Sequence, residues 1–185
     1  MMIETEHTPN PDTLKFLPGK KVSEIGPIEF LKNDKNIKVS LANKILSLEG
    51  TKMVFFGEDF ITVKKEKNLN WSDLKHGIIS EINDYYSKGN NVVVKKDENK
   101  ITSDSTKTHS NEIINKINEV LDSKIRPAVA RDGGDITFKD FKDGVVTVEL
   151  KGSCSGCPSS IITLKQGVQN LLCHYIPEVK SVEAI

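Results

Sequence analysis

The stretch "KKDENKITSDSTKTHS", residues 95–110, limits most strongly what this chain can fold into. It holds one aliphatic residue, Ile101, no aromatic, and mostly charged or hydroxyl side chains. Such a segment cannot bury enough apolar surface to offset the entropy of ordering it. It reads as a linker, flexible because it lacks proline. The 185 residues therefore divide into two units that must each build a core: residues 1–93, a linker over 94–110, and residues 111–185. The second unit has about 75 residues, near the lower limit for independent stability, so self-association would help it.

In the first unit, "MIETE" and "TLKFL" read as short strands joined through "HTPNPD", whose Asn-Pro and Pro-Asp steps favour a turn. "SLANKILSL" follows as a short helix. "KMVFFGEDFITVKK" reads as a hairpin, with Lys64 and Lys65 as a solvated strand end. "WSDLKHGIISEINDYYSKG" closes the unit as a helix, with Leu74, Ile78, Ile82 and Tyr85 on its apolar stripe and Gly89 as its stop. Trp71 and Tyr85 are expected in the core and Tyr86 outside it.

The second unit opens with Ile113, Ile114, Ile117, Val120, Leu121 and Ile125 at helical spacing, a pattern that Pro127 should end after Arg126. "RDGGD" is a loop in which Gly133 and Gly134 can take positive φ, and "ITFKDF" and "VVTVEL" flank "KDG" as a hairpin. Ile161, Leu164, Val168, Leu171 and Tyr175 then mark a second amphipathic helix, and "EVKSVEAI" can return as a third strand. The expected fold class is α/β (α+β) in two small domains. The second has the order α-β-β-α-β, with a three-stranded mixed sheet and two helices.

Between the second strand and that helix lies "GSCSGCPSS". Cys154 and Cys157 sit three positions apart in a turn with Gly152 and Gly156, and Pro158 suits the first helical position. Backbone amides at a helix start favour negative charge, and thiolate is the form that metal binding and redox exchange both use. Three chemistries compete. Closed zinc within one chain would need Cys173 and His174 as further ligands, but adjacent helical residues point roughly 100° apart, a poor chelate. A dithiol exchanger is favoured by a Cys-x-x-Cys pair at a strand-to-helix junction, yet the pair lacks a preceding aromatic and a parallel βαβ setting. An iron-sulfur cubane wants four thiolates, and the chain has 3 cysteines. Two chains would then each lend a pair, most simply across a twofold axis. Ligands split in this way suit delivery of a cluster more than its storage. Cys173 itself reads as a small core or half-buried residue.

Charge and composition remove other classes. The 26 basic and 26 acidic residues cancel, and neither half carries the clustered positive excess that tracking a nucleic-acid backbone needs. No stretch approaches the roughly 20 apolar residues of a membrane span. The opening "MMIETEHTPNPD" lacks the features of a signal or transit peptide. A cytoplasmic location is expected, or the mitochondrial matrix for a mature eukaryotic form. Three cysteines make no disulfide framework.

"IRPAVARDGGDITF", "VTVELKGSCSGCPSSIITLKQGVQNLL" and "HYIPEVKSVE" resemble the C-terminal domain of NifU and of the Nfu-type iron-sulfur scaffold proteins. "HTPNPDTLKFLPG" and "VFFGEDFITVKK" resemble the N-terminal domain that precedes it in Nfu-type proteins. The resemblance covers nearly everything except the linker. It departs from the family pattern at Cys173, where an apolar residue is more usual, and at Gln169, where an acidic one is common. It implies a non-enzymatic carrier that binds a 4Fe-4S cluster between the Cys-x-x-Cys pairs of two subunits and passes it to apo-proteins. Cys154 and Cys157 match the ligand positions, with iron as the metal. The implied partners are a second copy of the chain, apo iron-sulfur clients and upstream cluster-assembly proteins. No ligand transfers to residues 1–93. A dithiol-disulfide oxidoreductase and a pure interaction adaptor remain the alternatives.

Overall fold

The computed structural model describes residues 2–35, 37–94, 110–155 and 158–185, with the side chains of 110, 111 and 158–161 outside the description. The expected linker therefore falls almost wholly outside the described residues, and so does Cys157.

In the N-terminal half, β1 (Glu4–His7), β2 (Thr13–Leu17), β3 (Ile28–Leu31), β4 (Thr51–Phe56) and β5 (Ile61–Lys65) form one antiparallel sheet in the order β1-β2-β5-β4-β3. α1 (Ser40–Ser47) and α2 (Trp71–Ser87) pack on its inner face. There Leu41, Ile45, Ile78 and Ile82 meet Phe16, Val54, Phe56, Ile61 and Val63 in one buried cluster. Both expected helices, the first two strands and the hairpin are present. β3 adds an edge strand that the sequence reading leaves out, because "IEFL" is short and pairs only with β4. One core assignment changes. Tyr86, four residues after Ile82, is 5% exposed, whereas Tyr85 is half-buried and donates its hydroxyl to the Val92 carbonyl at 3.0 Å. Steps of four from Ile78 fix the inward face, and Tyr85 lies one position off it. Gly89 stops the helix as expected, at φ +82°.

In the C-terminal half, α3 (Ser110–Val120) runs into a π-helical turn (Leu121–Ile125) and then α4 (Arg126–Arg131). Pro127 therefore does not end the helical run. A proline clashes with the carbonyl four residues earlier and lacks an N–H to bond it. The wide turn before it absorbs the clash, and Pro127 stands in the first turn of α4, where the missing N–H costs little. β6 (Gly134–Lys142) and β7 (Val145–Gly152) pair antiparallel through a turn with Asp143 at φ 54° and Gly144 at φ 87°. After α5 (Pro158–Tyr175), β8 (Ser181–Ala184) pairs parallel to β7, giving the expected mixed three-stranded sheet. Gln169 helps fix that last strand, its Oε1 accepting from the Val182 amide at 3.1 Å.

Strand β7 alternates cleanly: Val146, Val148 and Leu150 turn inward and join Ile117, Leu121, Val168 and Leu172 in the second core. Along α5 the inward step runs from Val168 to Leu172, and this leaves Tyr175 50% exposed rather than on the apolar stripe. The side chain of Ile161 lies outside the description.

The five-stranded sheet is buried on its outer face as well. Met53, Phe55 and Phe60 form a third apolar cluster there with Leu17 and Ala130, and Ala130 belongs to α4 of the other half. The two halves meet on this face.

Candidate functional site

Strand β7 leads directly into the cysteine loop, and glycines shape the junction. Gly152 ends β7 at φ +69°, a left-handed conformation that residues with a Cβ adopt at a cost. A Cβ there would come within 2.6 Å of the Gly133 carbonyl and 3.2 Å of the Phe55 ring. Gly133 turns the preceding loop at φ +80°. Gly134, expected to share that conformation, instead begins β6 without a positive φ. Its role is clearance, since a Cβ at Gly134 would stand 2.9 Å from Cys154 Sγ and 2.6 Å from the Lys151 carbonyl.

The loop is then tied down by its own backbone. The Ser153 amide donates to the Gly133 carbonyl at 3.2 Å, and the Ser155 amide to the Gly152 carbonyl at 3.2 Å. Ser153 Oγ donates to the Asp132 carbonyl and lies 3.8 Å from Cys154 Sγ. Cys154 is 3% exposed. It lies on the wall of an apolar pocket of about 440 Å³ between α4 and α5, bordered by Ile125, Ala128, Val168, Leu171 and, from the N-terminal half, Pro9. Of the expected pair, then, Cys154 stands at the end of β7 and ahead of α5, and Pro158 opens that helix. Cys157 lies outside the described residues.

Cys173 is half-buried against the second core, as a small apolar residue would be. His174 stacks edge-on with Tyr175, their ring centroids 5.1 Å apart. Among the described residues no group of three or more His, Cys, Asp and Glu side chains is placed to hold a metal ion.

The larger surprise is how much of the loop's surroundings comes from the other half of the chain. Glu29 on β3 accepts from the Gly152 amide at 2.7 Å, and Asn10 Nδ2 donates to the Ser153 carbonyl at 3.1 Å. Thr62 Oγ1 donates to the Gly133 carbonyl at 2.8 Å, Lys64 Nζ to the Ser155 carbonyl at 3.2 Å, and Lys15 Nζ to the Arg131 carbonyl at 3.4 Å. Lys64 and Lys65 are therefore not a solvated strand end. Lys65 is 7% exposed and paired with Asp12 at 3.4 Å, because both faces of the sheet are covered and a buried ammonium needs a partner. The "TPNPD" turn likewise does more than reverse the chain: Asn10, 4% exposed, reaches the cysteine loop. None of these contacts is visible in the sequence reading. One signal for them was available, since adjacent Phe55 and Phe56 in a strand must point to opposite faces, which calls for burial on both.

Two carboxylates near the loop carry its electrostatics. Burial pushes the Glu29 carboxyl above its usual range, opposed by the Gly152 amide and by Lys151 and Lys64. Burial does the same to Asp135, opposed chiefly by Arg126, whose Nε is 3.4 Å from Asp135 Oδ1.

The chain has relatives among known proteins. The NifU-like domain family matches residues 117–183, and the family described as scaffold protein Nfu/NifU N terminal matches residues 3–89. The chain is 45% identical over 186 aligned positions to the human protein named NFU1 iron-sulfur cluster scaffold homolog, mitochondrial, covering 100% of this chain and 72% of that protein. It is 41% identical to NifU-like protein 4, mitochondrial, of Arabidopsis thaliana, covering 99% of this chain and 65% of the relative. A solved NifU-like protein from Saccharomyces cerevisiae overlaps 52% of this chain and 87% of its own, at 27% identity and a TM-score of 0.48. The chain belongs to the Nfu/NifU family of iron-sulfur scaffold proteins. It spans about two thirds of the length of several of these relatives.

Proposed function

We propose that this protein is a non-enzymatic carrier of iron-sulfur clusters that binds a 4Fe-4S cluster as cargo through Cys154 and Cys157, bridged between two copies of the chain, and passes it to apo-proteins. The observation that carries this reading is the position of Cys154. It follows β7 in a loop whose conformation depends on Gly152 and Gly134, within a chain that matches scaffold proteins over nearly its whole length. Thiolate sulfur is the donor that iron-sulfur clusters take, and a four-iron cluster needs four of them. One Cys-x-x-Cys pair supplies two, so a second copy completes the set. Cys154 Sγ fits such cargo only after the loop moves, because it now packs beside Gly134 in the core of its own half.

The proposed division of labour is residues 111–185 for the cluster, 94–110 as linker, and 1–93 for control of access. The partners are upstream assembly proteins that supply the cluster and apo-proteins that accept it. The relatives cited are named as mitochondrial, which favours the matrix over the cytoplasmic expectation. No described helix is long and apolar enough to cross a membrane.

Anaerobic reconstitution tests the reading. A brown protein with about four irons per dimer, shifting from monomer to dimer on loading, is the expected result. A colourless product that reduces insulin disulfides would replace the carrier with a dithiol oxidoreductase.

A further inference from the structure

The outer face of the five-stranded sheet presents one transverse row of side chains. Cross-strand pairing places Glu6 opposite Lys15, Lys15 opposite Thr62, Thr62 opposite Phe55, and Phe55 opposite Glu29, so the row crosses all five strands. Four members of that row meet the segments that flank Cys154. Lys15 and Thr62 take the carbonyls of Arg131 and Gly133, Phe55 lies against Gly152, and Glu29 takes the Gly152 amide. In the neighbouring row Met53 is opposite Lys64, and Lys64 takes the Ser155 carbonyl. A sheet backed by helices on one side normally leaves its other face to water. Here Phe55 and Thr62 are 0% exposed, Met53 is 2% and Lys15 is 8%.

We propose that this face is a docking surface for the chain's own cysteine loop, and that the docked form withholds Cys154 from a second copy of the chain. Docking and cluster bridging compete for one loop. Cys154 is 3% exposed in the core of its own half, and the N-terminal sheet holds the backbone on either side of it, so a partner's thiolates cannot converge on the same iron atoms until the two halves separate. Each of these polar contacts, and that of Asn10 to the Ser153 carbonyl, ends on a main-chain atom, so the N-terminal half holds the backbone path on both sides of Cys154. The competition rests on the carrier reading above; the docking does not.

The test is iodoacetamide labelling of the reduced, metal-free full chain, read cysteine by cysteine by mass spectrometry. Glu29→Arg removes the acceptor for the Gly152 amide and sets a third cation beside Lys151 and Lys64. It is expected to raise Cys154 labelling roughly tenfold, the effect of losing one hydrogen bond to a charged group. Cys173, half-buried on α5 against the same C-terminal core as Cys154, should label at its wild-type rate and so reports any general unfolding of that half. If Glu29→Arg accelerates both thiols, Lys64→Met supplies the second reading at the opposite side of the loop. Unchanged Cys154 labelling in both variants would overturn the docking surface. In the loaded protein, Glu29→Arg should also speed cluster-dependent dimerisation. Faster labelling with no faster dimerisation would overturn the competition alone, and failure of the wild type to take up iron would overturn only the carrier reading.

Discussion

Glu29 and Gly152 lie 123 residues apart and share a 2.7 Å hydrogen bond, from the amide that ends β7 to a carboxylate on the edge strand of the other sheet. That bond ties the entrance of the cysteine loop to the N-terminal half, and it makes the loop's behaviour a property of the whole chain.

The ligand assignment predicts an all-or-none pattern among three thiols. Cys154→Ser and Cys157→Ser should each abolish iron uptake in anaerobic reconstitution, while Cys173→Ser keeps it. Loss of the cluster in the Cys173 variant would show that two ligands per chain is the wrong count.

Gly152→Ala should destabilise the protein by about 2 kcal/mol or more, since it forces a side chain into the left-handed region. It also drives a Cβ to 2.6 Å from the Gly133 carbonyl. Urea unfolding measures the loss. A variant as stable as the wild type would mean that the loop relaxes without cost.

Thr62→Val removes the hydroxyl that donates to Gly133 but keeps its volume. The Gly133 carbonyl still accepts from the Ser153 amide at 3.2 Å, so the expected cost is modest, about 1 kcal/mol. Calorimetric melts of the two proteins should separate by a few degrees. A loss several times larger would point to a role for Thr62 beyond this bond.

Glu29 also predicts a pH dependence. Its carboxyl is raised in the folded state, first by burial, so the folded form holds its proton more tightly than the unfolded one. That contribution is complete below the ordinary carboxylate value of 4.5 and is lost as pH rises through the raised value. Lys151 and Lys64 face the group and limit the effect, and Glu149 adds to it. Glu29→Gln should therefore gain stability relative to the wild type between pH 4 and pH 7, in denaturant titrations at each pH. A constant difference across that range would assign no linkage to Glu29.

The elements with strong periodicity could be read from sequence alone. α2 follows from Leu74, Ile78 and Ile82, and β7 from the alternation of Val146, Val148 and Leu150, because each pattern records burial of one face within its own unit. Pro127 was misleading: its local preference to end a helix yields to a wide turn that tertiary packing holds in place. The position of Cys154 at the strand end was legible for the same local reason. Its cover was not, since Asn10, Glu29 and Thr62 act on atoms more than 70 residues away. No spacing rule connects such positions.

Among the described residues, the polar contacts named above from the N-terminal half to the cysteine loop and to the turn before β6 end on peptide groups, which every residue type carries. Inherited change can thus pass through half-buried Ser155 without disturbing how the sheet grips the chain. The burden shifts to Gly133, Gly134 and Gly152, where adding a single carbon meets another atom within 3.0 Å. Tolerance to change around the thiols is thus set by three glycines on two adjoining turns, where not even a methyl group fits without a shift of its neighbours.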